Sequence, residues 1–262
     1  MDTKKIDEWF QDEAFWNQFA PIMFDEQRWA EVPAVADGIE SLYRTVSDPA
    51  GGGARSGEPL AVLDQCCGLG RLSVELALRG HRVTGVDITP SYLDAARESA
   101  EDEGLTIEFL QIDVRRFVRP SAYNLVLNLY TSFGYFANPL DDRQVIANAF
   151  QSLSLGGLYI IETLGKEIAV RDFTEGEWFE RSGAVVLTEF EPLNGWEFLK
   201  NRWILLKGAD HFERTFNQRI YAATELRGLM EQAGFSSVSV YGGWDLRPYD
   251  QKARTLIVVG RK

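Results

Sequence analysis

Apolar and polar positions change their period three times along the chain. Over residues 6–46 apolar side chains recur at helical spacing, many of them aromatic (Trp9, Phe10, Phe15, Trp16, Phe19, Phe24, Trp29), with Pro21 and Pro33 as punctuation. Residues 48–58, Asp-Pro-Ala-Gly-Gly-Gly-Ala-Arg-Ser-Gly-Glu, read as a flexible connector. From 60 to 163 short apolar runs alternate with amphipathic stretches. The pattern predicts strands over 61–64, 82–87, 107–111, 123–129 and 158–162. It predicts helices near 70–79, 90–103 and 141–154, and a short one at 114–117. Thr89-Pro90 opens the second helix, and Gly80, Gly104 and Gly156-Gly157 stand where helices stop. Strands alternating with helices imply a mostly parallel sheet covered on both faces. Beyond 163 the period falls to two. Runs at 184–190, 198–206 and 211–221 are separated by Asn194-Gly195 and Lys207-Gly208-Ala209-Asp210, which predicts an antiparallel insert. A helix over 224–232, stopped by Gly234, and two last strands at 237–241 and 255–259 close the chain. The expected organisation is a helical cap over 1–47, a core over 60–164 and 222–262, and the insert over 165–221.

Composition narrows the partners. A chain of 262 residues with 45% hydrophobic and 12% aromatic content supplies a large core. The net charge of -12 opposes binding to phosphate backbones and anionic membranes, so neither nucleic acid nor membrane is an expected partner. Two adjacent cysteines, Cys66 and Cys67, and two histidines make neither a disulfide framework nor a zinc site. No metal is expected, and the compartment is read as reducing. The N-terminus lacks an apolar signal core, and no run reaches the ~18 apolar residues of a membrane helix, so the expected location is the cytoplasm.

Candidate chemistry begins where the first strand ends. Leu63-Asp64-Gln65-Cys66-Cys67-Gly68-Leu69-Gly70-Arg71 is a strand–loop–helix junction. Gly68 and Gly70 allow a left-handed turn and let a ligand lie on bare main chain, while the helix start offers free N–H groups to an anion. Asp64 at the strand end suits a positive group. Asp87 ends the second strand, where a carboxylate accepts from both hydroxyls of a ribose; its plainer role is a helix cap, for which Thr89 is better placed. Asp113 follows the third strand, where it either accepts from an adenine amino group or is a solvated loop carboxylate.

Taken together with Gly85-Val86-Asp87-Ile88-Thr89, Asp113-Val114, Asn124-Leu125-Val126-Leu127-Asn128-Leu129 and Leu155-Gly156-Gly157-Leu158, this junction resembles the motifs of the class I S-adenosylmethionine-dependent methyltransferases, of small-molecule type. Support comes from Leu226, Leu229, Ala233-Gly234-Phe235 and the closing strand pair. The resemblance spans about residues 60–262. It implies a Rossmann-like α/β fold: seven mostly parallel strands with helices on both faces, an N-terminal helical lid and an antiparallel β insert. The cofactor it implies is S-adenosyl-L-methionine, with S-adenosyl-L-homocysteine as product. By position, Gly68 and Gly70 pass under the amino-acid part, with Asp64 and Cys66 in the same loop. Asp87 holds the ribose and Ile88 lies on the adenine. Asp113 and Val114 read the adenine edge, and Leu129 offers backbone near the sulfonium. Met23, Arg28 and Trp29 are the lid's candidate contacts. Ser73, where a dinucleotide loop has glycine, argues against NAD.

The acceptor side is less defined. Tyr130 and Tyr135 follow the fourth strand, and Glu162 ends the fifth. His211 is a candidate base or a solvated turn histidine, and His81 lies at the wrong end of its strand. Tyr130, Glu162 and His211 are thus the catalytic candidates; Tyr135, Trp244, Arg247 and Tyr249 are the pocket candidates, the last three on the turn of the final hairpin. The insert, with Asn201, Trp203, Arg214 and Arg219, either roofs the pocket or builds a homodimer interface. Its arginines hint at an acidic acceptor or merely solvate the strands. The expected reaction is in-line methyl transfer to a nitrogen or oxygen of a small molecule. The rivals are an NAD-dependent oxidoreductase and a non-catalytic cofactor-binding module.

Overall fold

A computed structural model describes residues 8–47 and 58–262. The beginning of the expected cap and all of the connector but Glu58 lie outside the described residues. Seven strands form the main sheet: β1 (Ala61–Gln65), β2 (Arg82–Asp87), β3 (Glu108–Gln111), β4 (Tyr123–Asn128), β5 (Leu153–Thr163), β10 (Ser237–Tyr241) and β11 (Leu256–Arg261). Their order is β10-β11-β5-β4-β1-β2-β3. Strands β1 to β5 are parallel, and β11 runs antiparallel between β5 and β10. The order reverses at β1, so the C-terminal ends of β1, β2 and β4 face the crevice where open α/β sheets bind ligands.

The helices follow their expected positions: α4 (Arg71–Leu78), α5 (Pro90–Asp102), α6 (Pro139–Ser152) and α8 (Ala223–Ala233). Val62, Leu63, Leu125, Val126, Ile160, Ile161 and Val258 are fully buried, since both faces of the sheet are covered. The cap divides into α1 (Glu13–Met23), α2 (Glu26–Ala30) and α3 (Val32–Ser47). Asp12 and Asp25 make the breaks by accepting the first N–H groups of α1 and α2. Helix α3 packs on the core through Val35, Ile39 and Leu42.

The excursion between β5 and α8 is a second sheet. A short helix, α7 (Lys166–Arg171), leads into four antiparallel strands: β6 (Gly176–Arg181), β7 (Ala184–Leu193), β8 (Phe198–Lys207) and β9 (Asp210–Arg219). Strand β6 and helix α7 add to the runs read from sequence. Their side chains are mostly exposed, so no clear apolar alternation marks them. The two ends of the excursion meet, with Gly165 bridging Tyr221 and Lys166 N donating to Tyr221 O at 2.9 Å.

Candidate active site

The loop after β1 is a run of left-handed turns. Cys66, Gly68 and Gly70 have φ of 58°, 55° and 72°. The two glycines serve different ends. A Cβ on Gly68 would make only ordinary contacts, with the Phe24 ring of the lid at 3.5 Å and Tyr92 at 3.8 Å, so this glycine keeps the cavity floor bare. A Cβ on Gly70 would stand 2.7 Å from Ala96 Cβ and 3.1 Å from Phe109 Cζ, so this glycine permits helix packing and does not line the cavity.

Asp87 ties the loop to the next strand. Its Oδ2 accepts from Gly68 N at 2.8 Å and its Oδ1 from Thr89 N at 2.9 Å. Burial raises its carboxyl above the ordinary range, although these N–H groups work against that. Thr89 precedes α5 without a side-chain capping bond, so the better cap expected there is not made. Asp64 accepts from Ser73 Oγ at 2.6 Å. Burial pushes its carboxyl up to about 7, partly offset by Ser73 and reinforced by Asp87. The residue that replaces a third glycine thus orients the first carboxylate. Burial, and then the nearby carboxylates, push the Cys66 and Cys67 thiols well up, which leaves them poor nucleophiles. Asp113 accepts from Arg115 N at 2.9 Å and from the Arg115 guanidinium. Burial alone would raise it, but Arg115 outweighs burial and holds it low.

At the end of β4, Tyr130 and Thr131 are both left-handed, with φ of 55° and 64°. Consecutive non-glycine residues in this region carry strain that the surroundings must hold. Glu162 holds them: its Oε2 accepts from Tyr130 N at 2.7 Å, its carbonyl accepts from Thr131 N at 3.2 Å, and Thr255 donates to its Oε1. Burial keeps the Glu162 carboxyl above its usual range. Gln218 of the insert grips the same loop, donating to Thr131 O at 3.0 Å. Burial lifts Tyr130 to about 12, partly offset by Arg71.

These parts surround a cavity of about 780 Å³, within the ~300–1,000 Å³ range of small-molecule sites. Asp64, Cys66, Gly68, Asp87, Ile88, Asp113, Val114 and Leu129 line one half, with Met23 and Arg28 from the lid and Tyr130, Tyr135 and Glu162 beside them. The other half is one face of the insert sheet. Strand register places Glu177, Thr188, Trp203 and Arg214 in a single row across all four strands, with Phe190, Asn201 and Phe216 in the next. All but Arg214 line the cavity. The lid clasps this face: Trp9 stacks on Phe216 at 4.1 Å and donates to Asn217 O at 3.1 Å, Phe19 meets Trp203 at 5.6 Å, and Arg214 pairs with Asp12 at 3.0 Å.

Several candidates stand elsewhere. His211 is exposed at the start of β9, 3.9 Å from Glu213. The final hairpin does turn at the C-terminal edge of the sheet, yet its residues pack on the outer flank. Trp244 lies on Gly38 of α3, Tyr249 donates to Glu167 at 3.0 Å, and exposed Arg247 pairs with Asp245 at 2.6 Å. Trp29 lies outside the lining, with its ring 5.9 Å from the Arg71 guanidinium. His81 is structural: its Nδ1 accepts from Leu60 N at 3.2 Å.

Arg71 has a place that no spacing signals. It is 7% exposed, lines the cavity and donates to Arg28 O at 2.5 Å, with its guanidinium 5.0 Å from the Phe24 ring and 4.8 Å from the Tyr130 ring. Among the described residues no carboxylate lies within ion-pair distance, and burial lowers its pKa. The insert wall had a usable signal, since its cavity side chains alternate strictly in sequence.

Residues 62–157 match a family model described as "Methyltransferase domain". A putative methyltransferase of Geobacillus sp. (strain WCH70) is 33% identical over 38% of this chain and 41% of its own length. The ubiquinone biosynthesis O-methyltransferase of Rickettsia prowazekii (strain Madrid E) is 32% identical over 41% of each. The matched stretch therefore spans under half the length of these relatives. Among solved structures, an S-adenosylmethionine-dependent methyltransferase from Clostridium acetobutylicum ATCC 824 superimposes with a TM-score of 0.74 at 14% identity, covering 94% of this chain and 98% of that one. The CcbJ methyltransferase of Streptomyces caelestis gives 0.73 at 18%, covering 88% and 89%. Sheet order, glycine loop and matched residues agree: residues 62–157 are similar to a methyltransferase domain, and the chain has the fold of solved S-adenosylmethionine-dependent methyltransferases.

Proposed function

We propose that this protein transfers a methyl group from S-adenosylmethionine to a nitrogen or oxygen of a small molecule. The observation that carries the reading is one cavity with two unlike halves. The half at the ends of β1 and β2 has a bare glycine floor, a buried carboxylate at Asp64 and a half-buried one at Asp87. The half under the insert is aromatic and closed by the lid.

The cofactor supplies an electrophilic methyl on a sulfonium; the chain supplies alignment and dryness. The donor set fits the cofactor's groups. Asp87, fixed by two backbone N–H groups, keeps lone pairs for ribose hydroxyls. Asp64 suits the ammonium. Arg71, a buried cation with no carboxylate, suits the one anionic group, the methionyl carboxylate. Arg28, a lid candidate, lines the cavity too but pairs with Glu31 at 3.2 Å. Asp113 acts at the adenine edge by fixing the Val114 turn, since Arg115 engages its carboxylate. Glu162 acts as a positioning residue for Tyr130 and Thr131. Neighbouring free thiols at Cys66 and Cys67 suit work in a reducing compartment such as the cytoplasm.

Calorimetry tests this with three ligands. S-adenosylhomocysteine should bind and NAD should not. Arg71→Met should weaken S-adenosylhomocysteine by about 10- to 100-fold, the cost of an unpaired charged group, and leave methylthioadenosine, which lacks the amino-acid part, unchanged. No binding of S-adenosylhomocysteine to the wild type sinks the reading. Equal loss of both ligands sinks the role of Arg71 alone.

A further inference from the structure

Five carboxylates line the cavity: Asp64, Asp87, Asp113, Glu162 and Glu177. Four accept hydrogen bonds from Ser73, Gly68, Arg115 and Tyr130 respectively. Glu177, at the cavity mouth on β6, takes part in no hydrogen bond or ion pair among the described residues.

The cations tell the complementary story. Arg71 is assigned to the cofactor's carboxylate, Arg28 pairs with Glu31, and Arg181 pairs with Asp25 at 3.0 Å. Of the insert's other arginines, Arg171 pairs with Asp172, Arg214 with Asp12, Arg202 with Glu189 and Glu213, and Arg219 with Glu197. No arginine of the insert is left to receive an acidic acceptor. Beside Glu177, its cross-strand partner Thr188 is 4% exposed, lines the same cavity and carries a hydroxyl with no partner. Around them the wall is aromatic, with Phe179 and Phe190; the Arg181 guanidinium already sits over the Phe179 ring at 5.0 Å, the attraction that such rings hold for cations. The net charge of -12 favours approach of a cation as well.

We infer that the methyl acceptor carries a positively charged group, and that Glu177 is the specificity residue that receives it at the cavity mouth. The inference rests on the methyl-transfer reading only in calling the ligand an acceptor. Glu177 binds a handle on the acceptor, and the reacting atom lies deeper, towards Tyr130 and Tyr135.

Calorimetry on the complex with S-adenosylhomocysteine tests it with three ring compounds of one shape: tyramine, 4-ethylphenol and 4-hydroxyphenylacetate. Tyramine should bind at least tenfold more tightly than the acid. Glu177→Gln should abolish that preference and leave S-adenosylhomocysteine affinity unchanged. Glu180→Gln makes the same charge change on the opposite face of β6 and should keep the preference. The inference is overturned if the acid binds as well as the amine, if none of the three binds, or if Glu180→Gln acts like Glu177→Gln. Failure of S-adenosylhomocysteine itself to bind is a different result, which tells against the cofactor reading.

Discussion

On the glycine-loop side the cavity wall is main chain held by carboxylates close by in the sheet. On the insert side it is almost all side chain, gathered from the lid and from strands more than 150 residues away. The first wall depends on backbone conformation at a few points. The second depends on buried aromatic area, spread over Trp9, Phe15, Phe19, Trp203 and Phe216. Each wall therefore fails in its own way.

Trp9→Ala should cost the most, about 3–4 kcal/mol in chemical denaturation, because it empties a stacked, buried site. A loss below 1 kcal/mol would mean that the lid's aromatics do not hold the insert. Gly70→Ala should cost about 3 kcal/mol, combining a left-handed φ with a 2.7 Å contact to Ala96 Cβ. Gly183→Ala sharpens this result: its φ of 73° is similar, but open space surrounds it, so only the conformational cost of about 1 kcal/mol should remain. Equal losses at the two glycines would remove packing from the account of the loop.

The third effect is one of pH. Asp64 has its carboxyl raised from 3.8 to about 7, so the folded state holds its proton more tightly than the unfolded chain. The stability this gives is full below about pH 4 and is lost as pH rises through 7. Between pH 5 and 7 the loss should be about 2 kcal/mol. Asp142, also raised to about 7 by burial, adds a parallel slope. Asp64→Asn should remove only its own share, which melting curves at pH 5, 6 and 7 will resolve; an unchanged slope would place the Asp64 proton on bulk terms.

The same contrast explains what could be read from sequence. The seven-stranded sheet and its glycine loop were legible because strand ends, glycines and acids repeat at short range, as from Asp64 to Asp87. Boundaries shifted where local signals are weak: β5 begins at Leu153, ahead of the Gly156-Gly157 stop expected for the preceding helix. The insert half of the cavity was legible only in part. Trp203 and Asn201 could be named, but the Phe19 ring that meets Trp203 and the free state of Glu177 follow only from register and tertiary packing. Trp244 and Tyr249 misled in the other direction. Their turn leaves the sheet at the correct edge, yet β10 and β11 lie on the flank away from β1 and β2, and the side chains are spent on α3 and Glu167.

The bridge between Gly165 and Tyr221 makes the four-stranded sheet a cassette. Its two ends are neighbours, so the sheet can be exchanged for another without re-registering β5 or α8. Few bonds would need rebuilding on the core side, chief among them those from Gln218 and Arg219 to the loop at 131–137. On the proposed function, a lineage that swapped this cassette would change what is methylated and keep how the methyl is delivered.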